Sequence, residues 1–280
     1  MASTTSTHGP ILSPEQISTL IIKPLVANSV AGQALTEIST GSHDYRFPIV
    51  AADPSASWVA EGGEIPVTDS DVDEVIVTPR KLAGLSVITS ELANDSNPAA
   101  QKTVGDGLVR DLTRKLDQAL FASSPITNGP AVTLGQLSGI STISAGSAFG
   151  SVDPFSDAQF AAADAHATID TWVTSPTTAA ALAKVKKATG SNEPLLGNDV
   201  TVAGRRAILG APLLASPYAP NGVVWGIPRA FAYLVIREGS TVETDKSVFF
   251  TSDRIALRAK VRAAFGFPHP AAIVKISTTP

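Results

Sequence analysis

Cysteine is absent from this chain of 280 residues. Its absence excludes a disulfide framework, cysteine-ligated zinc, iron–sulfur clusters and thiol nucleophiles. Histidine is scarce too, and the four histidines are His8, His43, His166 and His269. They lie far apart in the sequence and lack the H-x-x-x-H spacing of a helical zinc site. We therefore expect no metal centre.

Charged residues are also few, at 16% of the chain against a typical value of about 25%. A low-charge surface fits a protein that is largely covered by partners, although a large core would have the same effect. The net charge is −4, from 21 basic and 25 acidic residues. Proteins that grip nucleic-acid phosphates usually carry a basic excess, which this chain lacks.

Targeting and catalytic signals are missing as well. No run of 18 apolar residues occurs, so no membrane span is expected, and the N-terminus lacks the features of a signal peptide. We expect a protein made and kept in a cytoplasm, or in something assembled there.

No G-x-S-x-G, P-loop or G-x-G-x-x-G motif is present. Glu61 and Glu64 could serve as an acid/base pair, but a polar turn is favoured because nothing nearby would desolvate them. The chain is therefore predicted not to be an enzyme and to need no cofactor.

The stretch from Trp58 to Leu120 organises the rest of the chain. Its first part is polar at a turn and β-rich on the return, which predicts a protruding two-stranded arm. An acidic run follows the turn at 61–64, and it belongs in solvent or opposite a basic partner. The run consists of Asp69, Asp71, Asp73 and Glu74. A calcium loop is the alternative, but EF-hand positions 6 and 12, counted from Asp69, hold Glu74 and Arg80 instead of Gly and Glu.

The second part of this stretch predicts one long helix. Asn97 and Pro98 suit its N-cap and first position, and the helix should end before Pro125. Its apolar residues recur every four positions, which indicates a face packed on a core. Upstream, helices are predicted from Ser13 and over 25–38.

Strands are predicted on both sides of that helix. They cover 44–50, 75–78, 82–89, 171–174, 208–215, 223–227, 231–236, 247–251, 255–263 and 272–276. Residues 127–150 form the best linker candidate, and helices follow from Ser156 and over 176–188.

In the strand over 255–263 and the residue before it, Arg254, Arg258 and Arg262 alternate with apolar residues. DNA binding is one explanation, but a solvated or subunit-facing sheet face is favoured because only one strand carries these arginines.

Seven short motifs occur in an order that points to a known family. They are W-V-A-E-G-G-E-I-P at 58–66, T-P-R-K-L-A-G at 78–84, S-E-L at 90–92, D-S-N-P at 95–98, W-V-x-x-P at 172–176, L-G-A-P-L at 209–213 and F-x-x-D-R-I-A-L-R-A at 250–259. From Ser13 onward, the chain resembles the major capsid proteins of tailed bacteriophages with the Hong Kong 97 fold. An encapsulin-like compartment shell, which shares this fold, is the alternative.

The resemblance implies an α+β fold with five segments. These are an N-terminal arm (1–43), an extended E-loop with flanking strands (44–89), a P-domain spine helix (90–126), an A-domain (127–245) and late P-domain strands (246–280). It also implies self-assembly into hexamers and pentamers of an icosahedral virion shell, built in the host cytoplasm around double-stranded DNA that is bound without sequence specificity. Scaffolding, portal and decoration proteins are further candidate partners, and no membrane is involved.

Contacts between subunits are expected at exposed polar and aromatic positions. The candidates are Trp58, Glu61, Glu64, Asp69, Asp71, Asp73, Arg80, Lys81, Arg254, Arg258 and Arg262. Some members of the family crosslink their subunits through a lysine near the arm tip. No lysine lies between Asp53 and Pro79, so a shell without covalent crosslinks is expected. Some members also begin with a long scaffolding region that a protease removes, whereas here about a dozen residues precede the first predicted helix. The chain is therefore expected to be either a mature product or one that relies on separate assembly help, and Met1 followed by Ala2 favours the second.

Overall fold

The computed structural model describes residues 29–52, 56–62, 64, 67, 71–91, 99–188, 191–196 and 206–278. The helices in these ranges are α1 (Val30–Ala34), α2 (Ala99–Leu120), α3 (Asp153–Asp164) and α4 (Pro176–Lys184). The strands are β1 (Thr36–Thr40), β2 (Tyr45–Ala52), β3 (Asp71–Val77), β4 (Arg80–Thr89), β5 (Ser141–Ser144), β6 (Thr171–Thr174), β7 (Arg206–Ile208), β8 (Ala211–Ala215), β9 (Val223–Ile227), β10 (Tyr233–Phe249), β11 (Arg254–Gly266) and β12 (Val274–Ser277).

The strands form two sheets and one separate hairpin. The four-stranded sheet has the order β1-β10-β11-β4, and the six-stranded sheet has the order β5-β12-β9-β6-β8-β7. The hairpin consists of β2 and β3. Parallel and antiparallel pairs occur in both sheets, so neither is the all-parallel sheet of an α/β fold. The fold is therefore α+β, as predicted.

The long helix α2 covers one face of the four-stranded sheet. Its predicted apolar stripe is confirmed as core: Leu112 and Leu116 are buried together with residues of β11. Toward the start of α2, Leu108 packs against Ile88 and Leu257. Complete burial of a leucine side chain contributes about 1.5–3 kcal/mol, so this stripe fixes the helix on the sheet.

The chain before α2 is tied to it by a buried carboxylate. Asp117 accepts hydrogen bonds from the Ser29 hydroxyl (2.5 Å) and from the backbone N–H groups of Val30 (3.1 Å) and Ala31 (3.0 Å). The helix predicted over 25–38 is wrong beyond Ala34. There the chain forms β1, which pairs in parallel with β10, because alternating β-branched residues find a strand partner distant in sequence. The helix predicted from Ser13 and its cap, and the Asn97 cap of α2, lie outside the described residues.

Several expectations for the second half need correction. Residues 127–150 are not a linker: Leu134 is fully buried, and β5 adds an edge strand to the six-stranded sheet. The strand predicted over 208–215 is two strands, joined at Leu209 and Gly210 with φ angles of 49° and 85°. Helix α4 ends at Lys184, and α3 begins at Asp153. Strands β6 and β9 have the predicted bounds.

Strand β10 differs most from its prediction. The two short strands expected over 231–236 and 247–251 are one strand of 17 residues. It continues because β11 offers a long antiparallel partner, with register shifts that absorb the irregular residues. The expected segment boundary at 245 falls inside this strand, and β12 lies in the six-stranded sheet instead of beside β11. Within the described residues, no helix is long and apolar enough to cross a membrane.

Candidate functional site

The hairpin of β2 and β3 is attached to the body at its base. Phe47 and Val77 are buried there against Val235 and Ala264, and the Phe47 ring stacks on Tyr233 at 4.7 Å between centroids. Gly266 makes this contact possible, because a Cβ at this position would lie 2.7 Å from the Phe47 ring. We call residues 47–79 the arm.

Beyond its base, the arm exposes apolar side chains. Trp58 is fully exposed, and Val67, Val72 and Ile76 are exposed as well. Single exposed apolar residues are ordinary, but several on one segment are typical of a surface that contacts a partner.

The arm is also strongly acidic. It contains seven carboxylates and no lysine or arginine; the carboxylates are Asp53, Glu61, Glu64, Asp69, Asp71, Asp73 and Glu74. Strand β3 begins at Asp71, not at residue 75, so three of the four carboxylates of the acidic run lie in this strand. Glu61, Glu64 and Asp73 are exposed, and Glu74 accepts a hydrogen bond from Arg46 within the chain. Asp69 lies outside the described residues.

A basic surface lies on the four-stranded sheet, on the face opposite α2. Arg254, Arg258 and Arg262 are exposed along β11 while their neighbours are buried, which confirms the predicted alternation. Lys260 lies on the same face and is half-buried. Glu243 of β10 accepts hydrogen bonds from Arg258 and, at 3.0 Å, from Lys260. The Arg258 guanidinium, followed by Lys260 and the Thr241 hydroxyl, lowers the pKa of Glu243 to about 2.

Strand register extends this basic surface over three strands. Arg262 lies directly opposite Arg237 of β10 on one side and Lys81 of β4 on the other. The assumption that a single strand carries the positive charge is therefore wrong. Like charges directly opposite each other destabilise a sheet. Among the residues that the structure describes, no carboxylate oxygen lies within 4.0 Å of these three side chains.

We call this surface the basic sheet face. Its cations are Lys81, Arg237, Arg254, Arg258, Lys260 and Arg262. Arg237 and Glu243 could not be assigned to this face from the sequence, because only the pairing of β10 with β11 places them there. Lys260 was overlooked although its spacing of two residues from Arg258 and Arg262 places it on their face. Arg80 is in β4 but next to Lys81, so it points to the other side of the sheet. Both residues line a cavity of about 390 Å³ beside the end of α2, at the edge of the sheet that β4 forms.

The candidate residues thus fall into two charged surfaces and one cavity rim. Within the described part of the chain, no cluster of three or more His, Asp or Glu side chains could hold a metal ion. The arrangement has the features of a contact surface: an acidic arm with exposed apolar side chains, and a basic face whose central row of Lys81, Arg237 and Arg262 is uncompensated.

Comparison with known proteins agrees with this description. The pattern of the family described as the Phage capsid family matches residues 9–278. A curated relative, the capsid polyprotein of Pseudomonas phage PAJU2, is 28% identical over 184 residues, or 63% of this chain. This match spans only 27% of the relative's length.

Solved structures show the same fold along nearly the whole chain. A chain from Mycobacterium phage Adephagia superposes with a TM-score of 0.73 at 18% identity, covering 97% of this chain and 99% of its own. A chain from the capsid of the native GTA particle gives a TM-score of 0.66 at 17% identity, covering 100% and 95%. Since the family pattern covers almost all of the sequence and the fold agrees end to end, the protein belongs to the phage capsid family.

Proposed function

We propose that this protein is the major subunit of a virion shell. Copies assemble in the host cytoplasm into hexamers and pentamers, which close into an icosahedral capsid around double-stranded DNA. The family match over residues 9–278 supports a shell protein. The observation that carries the assembly proposal is the pair of complementary surfaces, since one chain presents both an acidic arm and a basic face on which cations outnumber carboxylates.

In this proposal the segments take the roles that the family resemblance implies. The arm is the E-loop, α2 is the spine helix of the P-domain, and residues 1–43 form the N-terminal arm. The six-stranded sheet with α3 and α4 forms the A-domain, mostly within 127–245. Strand β12 joins that sheet from the C-terminal segment, whereas most of β10 belongs to the P-domain sheet with β11.

The arm of one copy docks on the basic sheet face of a neighbour. The arm contributes seven carboxylates and no cation. The face offers six cations against the two carboxylates of Glu243 and Asp245 on the same stretch of β10. A single exposed ion pair contributes only about 0.2–1 kcal/mol, but several such pairs at every subunit contact add up over a closed shell. The same pairs set the register of the contact, because a misplaced arm would leave charges opposite like charges.

The basic sheet face is assigned to protein and not to DNA. The acidic partner is part of the same chain, in equal copy number, and the net charge of −4 gives the subunit no general attraction for phosphates. Packaged DNA is then held by enclosure, without sequence-specific contacts. Scaffolding, portal and decoration proteins remain proposed partners of the assembled shell.

Electron microscopy and gel filtration of the expressed protein test the proposal. We expect rings or closed shells, with nuclease-resistant DNA in particles purified from infected cells. A protein that stays monomeric at high concentration would refute the shell assignment. Particles that contain a co-purifying enzyme and no DNA would favour the encapsulin-like alternative.

Charge reversal in the arm tests the docking. Asp73→Lys, combined with Asp71→Lys, should reduce particle yield because it places cations against the basic sheet face of the neighbour. Restored yield on combination with Arg262→Glu would support the docking directly, whereas unchanged yield in the arm variant would contradict it.

A further inference from the structure

Two features of the described residues suggest a contact with another molecule: an exposed tryptophan and an open cavity. One is Trp58, whose side chain is fully exposed on the arm. The other is the cavity of about 390 Å³ between the start of β4, the end of α2 and the loop over 126–130, which we call the tip pocket. A tryptophan buries about 150–250 Å² when it is covered, so leaving this side chain in water forfeits a large hydrophobic contribution.

The tip pocket has an apolar floor and a cationic rim. Its floor is formed by Leu82, Leu116, Ala119, Ala122, Ile126, Pro130 and Ala263. Arg80, Lys81 and Lys115 also line it, and none of the described residues that line it carries a carboxylate. A concave apolar site with a few charged groups at its edge is typical of ligand sites, and this volume is within their usual range.

Local structure keeps the tip pocket open. Ala119 and Ala122 line the pocket with small side chains, whereas larger side chains at these positions would fill it. The loop beside it is fixed by two hydrogen bonds, from Gly129 N to Ile126 O at 2.9 Å and from the Thr133 hydroxyl to Ala122 O at 2.7 Å. Gly129 is needed in this loop, because a Cβ there would lie 2.6 Å from Ile126 Cγ2. The pocket is therefore preformed, and its occupant does not have to create it.

We propose that the tip pocket receives Trp58 from a second copy of this chain. The inference rests on the proposed assembly and names the receptor of the arm tip. Trp58 is followed by Glu61 at a turn and by Glu64, and both are exposed. Three residues of extended chain span at most about 10 Å, so Glu61 can reach the cationic rim while the indole fills the apolar floor. The hydrophobicity of Trp58 and the negative charge of Glu61 and Glu64 therefore match the lining of the pocket.

The other cavities match the arm tip less well. The cavity of about 550 Å³ at the far end of the basic sheet face contains the exposed Leu85 and Val248, but Glu243 and Asp245 also line it. These carboxylates would repel the acidic tip. The cavity of about 580 Å³ near Asp170 and Arg229 is lined mainly by polar groups and offers little apolar surface. The tip pocket combines an apolar floor with a rim whose charged residues, Arg80, Lys81 and Lys115, are all cations.

Disulfide trapping gives the most direct test, since the natural chain contains no cysteine. The probe is Ala60→Cys next to the arm tip, combined with Asn128→Cys at the pocket. Its matched control combines Ala60→Cys with Leu85→Cys at the competing cavity. Cysteines bridge only when their Cα atoms lie within about 7 Å. Assembled particles of the probe should give a ladder of linked subunits on a non-reducing gel, and those of the control should not. Particles that link only in the control would overturn the pocket assignment.

Substitution of the tip separates the pocket from assembly in general. If Trp58 anchors the contact, Trp58→Ala should raise the subunit concentration needed for assembly about thirtyfold, as for an interface hot spot. Trp58→Phe should retain most of the contact. If Trp58→Ala assembles at the same subunit concentration as the unmodified protein, the pocket inference is refuted and the shell proposal stands. Failure of the unmodified protein to form any particle would refute both.

Discussion

Reversal of one charge, Arg262→Glu, should change subunit stability and assembly in opposite directions. Arg262 lies directly between Arg237 and Lys81, and no described carboxylate lies within 4.0 Å of it. In the free subunit, the substitution turns two repulsive cross-strand pairs into attractive ones. Each such pair is worth about 0.2–1 kcal/mol, so the subunit should gain about 1 kcal/mol of unfolding free energy. For a domain of roughly this size, that gain raises Tm by about 2–4 °C.

The same substitution should weaken the contacts between subunits in the assembled shell. The basic sheet face loses a cation and gains a carboxylate opposite an arm that contains only acids. A cost of about 1 kcal/mol per contact raises the subunit concentration required for assembly about fivefold. Thermal unfolding of dissociated subunits and light scattering of the assembly reaction measure the two effects separately. Arg114→Glu, an exposed change of equal charge on α2, is the matched control and should alter neither quantity. A lower Tm of Arg262→Glu subunits with unchanged assembly would refute the proposed role of Lys81, Arg237 and Arg262.

Three further predictions concern Glu243, Gly266 and the crosslinking of the shell. The folded state lowers the pKa of Glu243 to about 2, so its contribution to stability is complete above pH 4.5 and is lost as the pH falls from 4.5 toward 2. Because the ion pair is half exposed, this contribution is below about 1 kcal/mol, and Glu243→Gln should flatten the pH dependence of unfolding in that window. Gly266→Ala should push the Phe47 ring away, cost about 1–3 kcal/mol and loosen the arm, seen as faster proteolysis of residues 47–79. Purified particles should run as single subunits on a denaturing gel, because the arm contains no lysine; a ladder of covalent multimers would contradict this.

Local patterns of the sequence predicted the elements whose stability is local. The apolar stripe of α2 repeats every four residues, and the fully buried β6 is bounded by polar residues and Pro176, so both were recognised. The acidic character of the arm also follows directly from composition. By contrast, β1 was predicted as helix, and residues 127–150 were predicted as a linker. In both cases a strand partner distant in sequence overrides weak local preference.

The sequence by itself determined the chemical character of this protein: no cysteine, no catalytic motif, and an arm of seven carboxylates without a cation. It also carried the family resemblance, because the order of short motifs survives without coordinates. Only the tertiary structure decided which charges share a surface. Lys81, Arg237 and Arg262 meet through the register of three strands, and register depends on long-range pairing that no local pattern encodes. The tip pocket likewise exists only where β4, α2 and a distant loop come together.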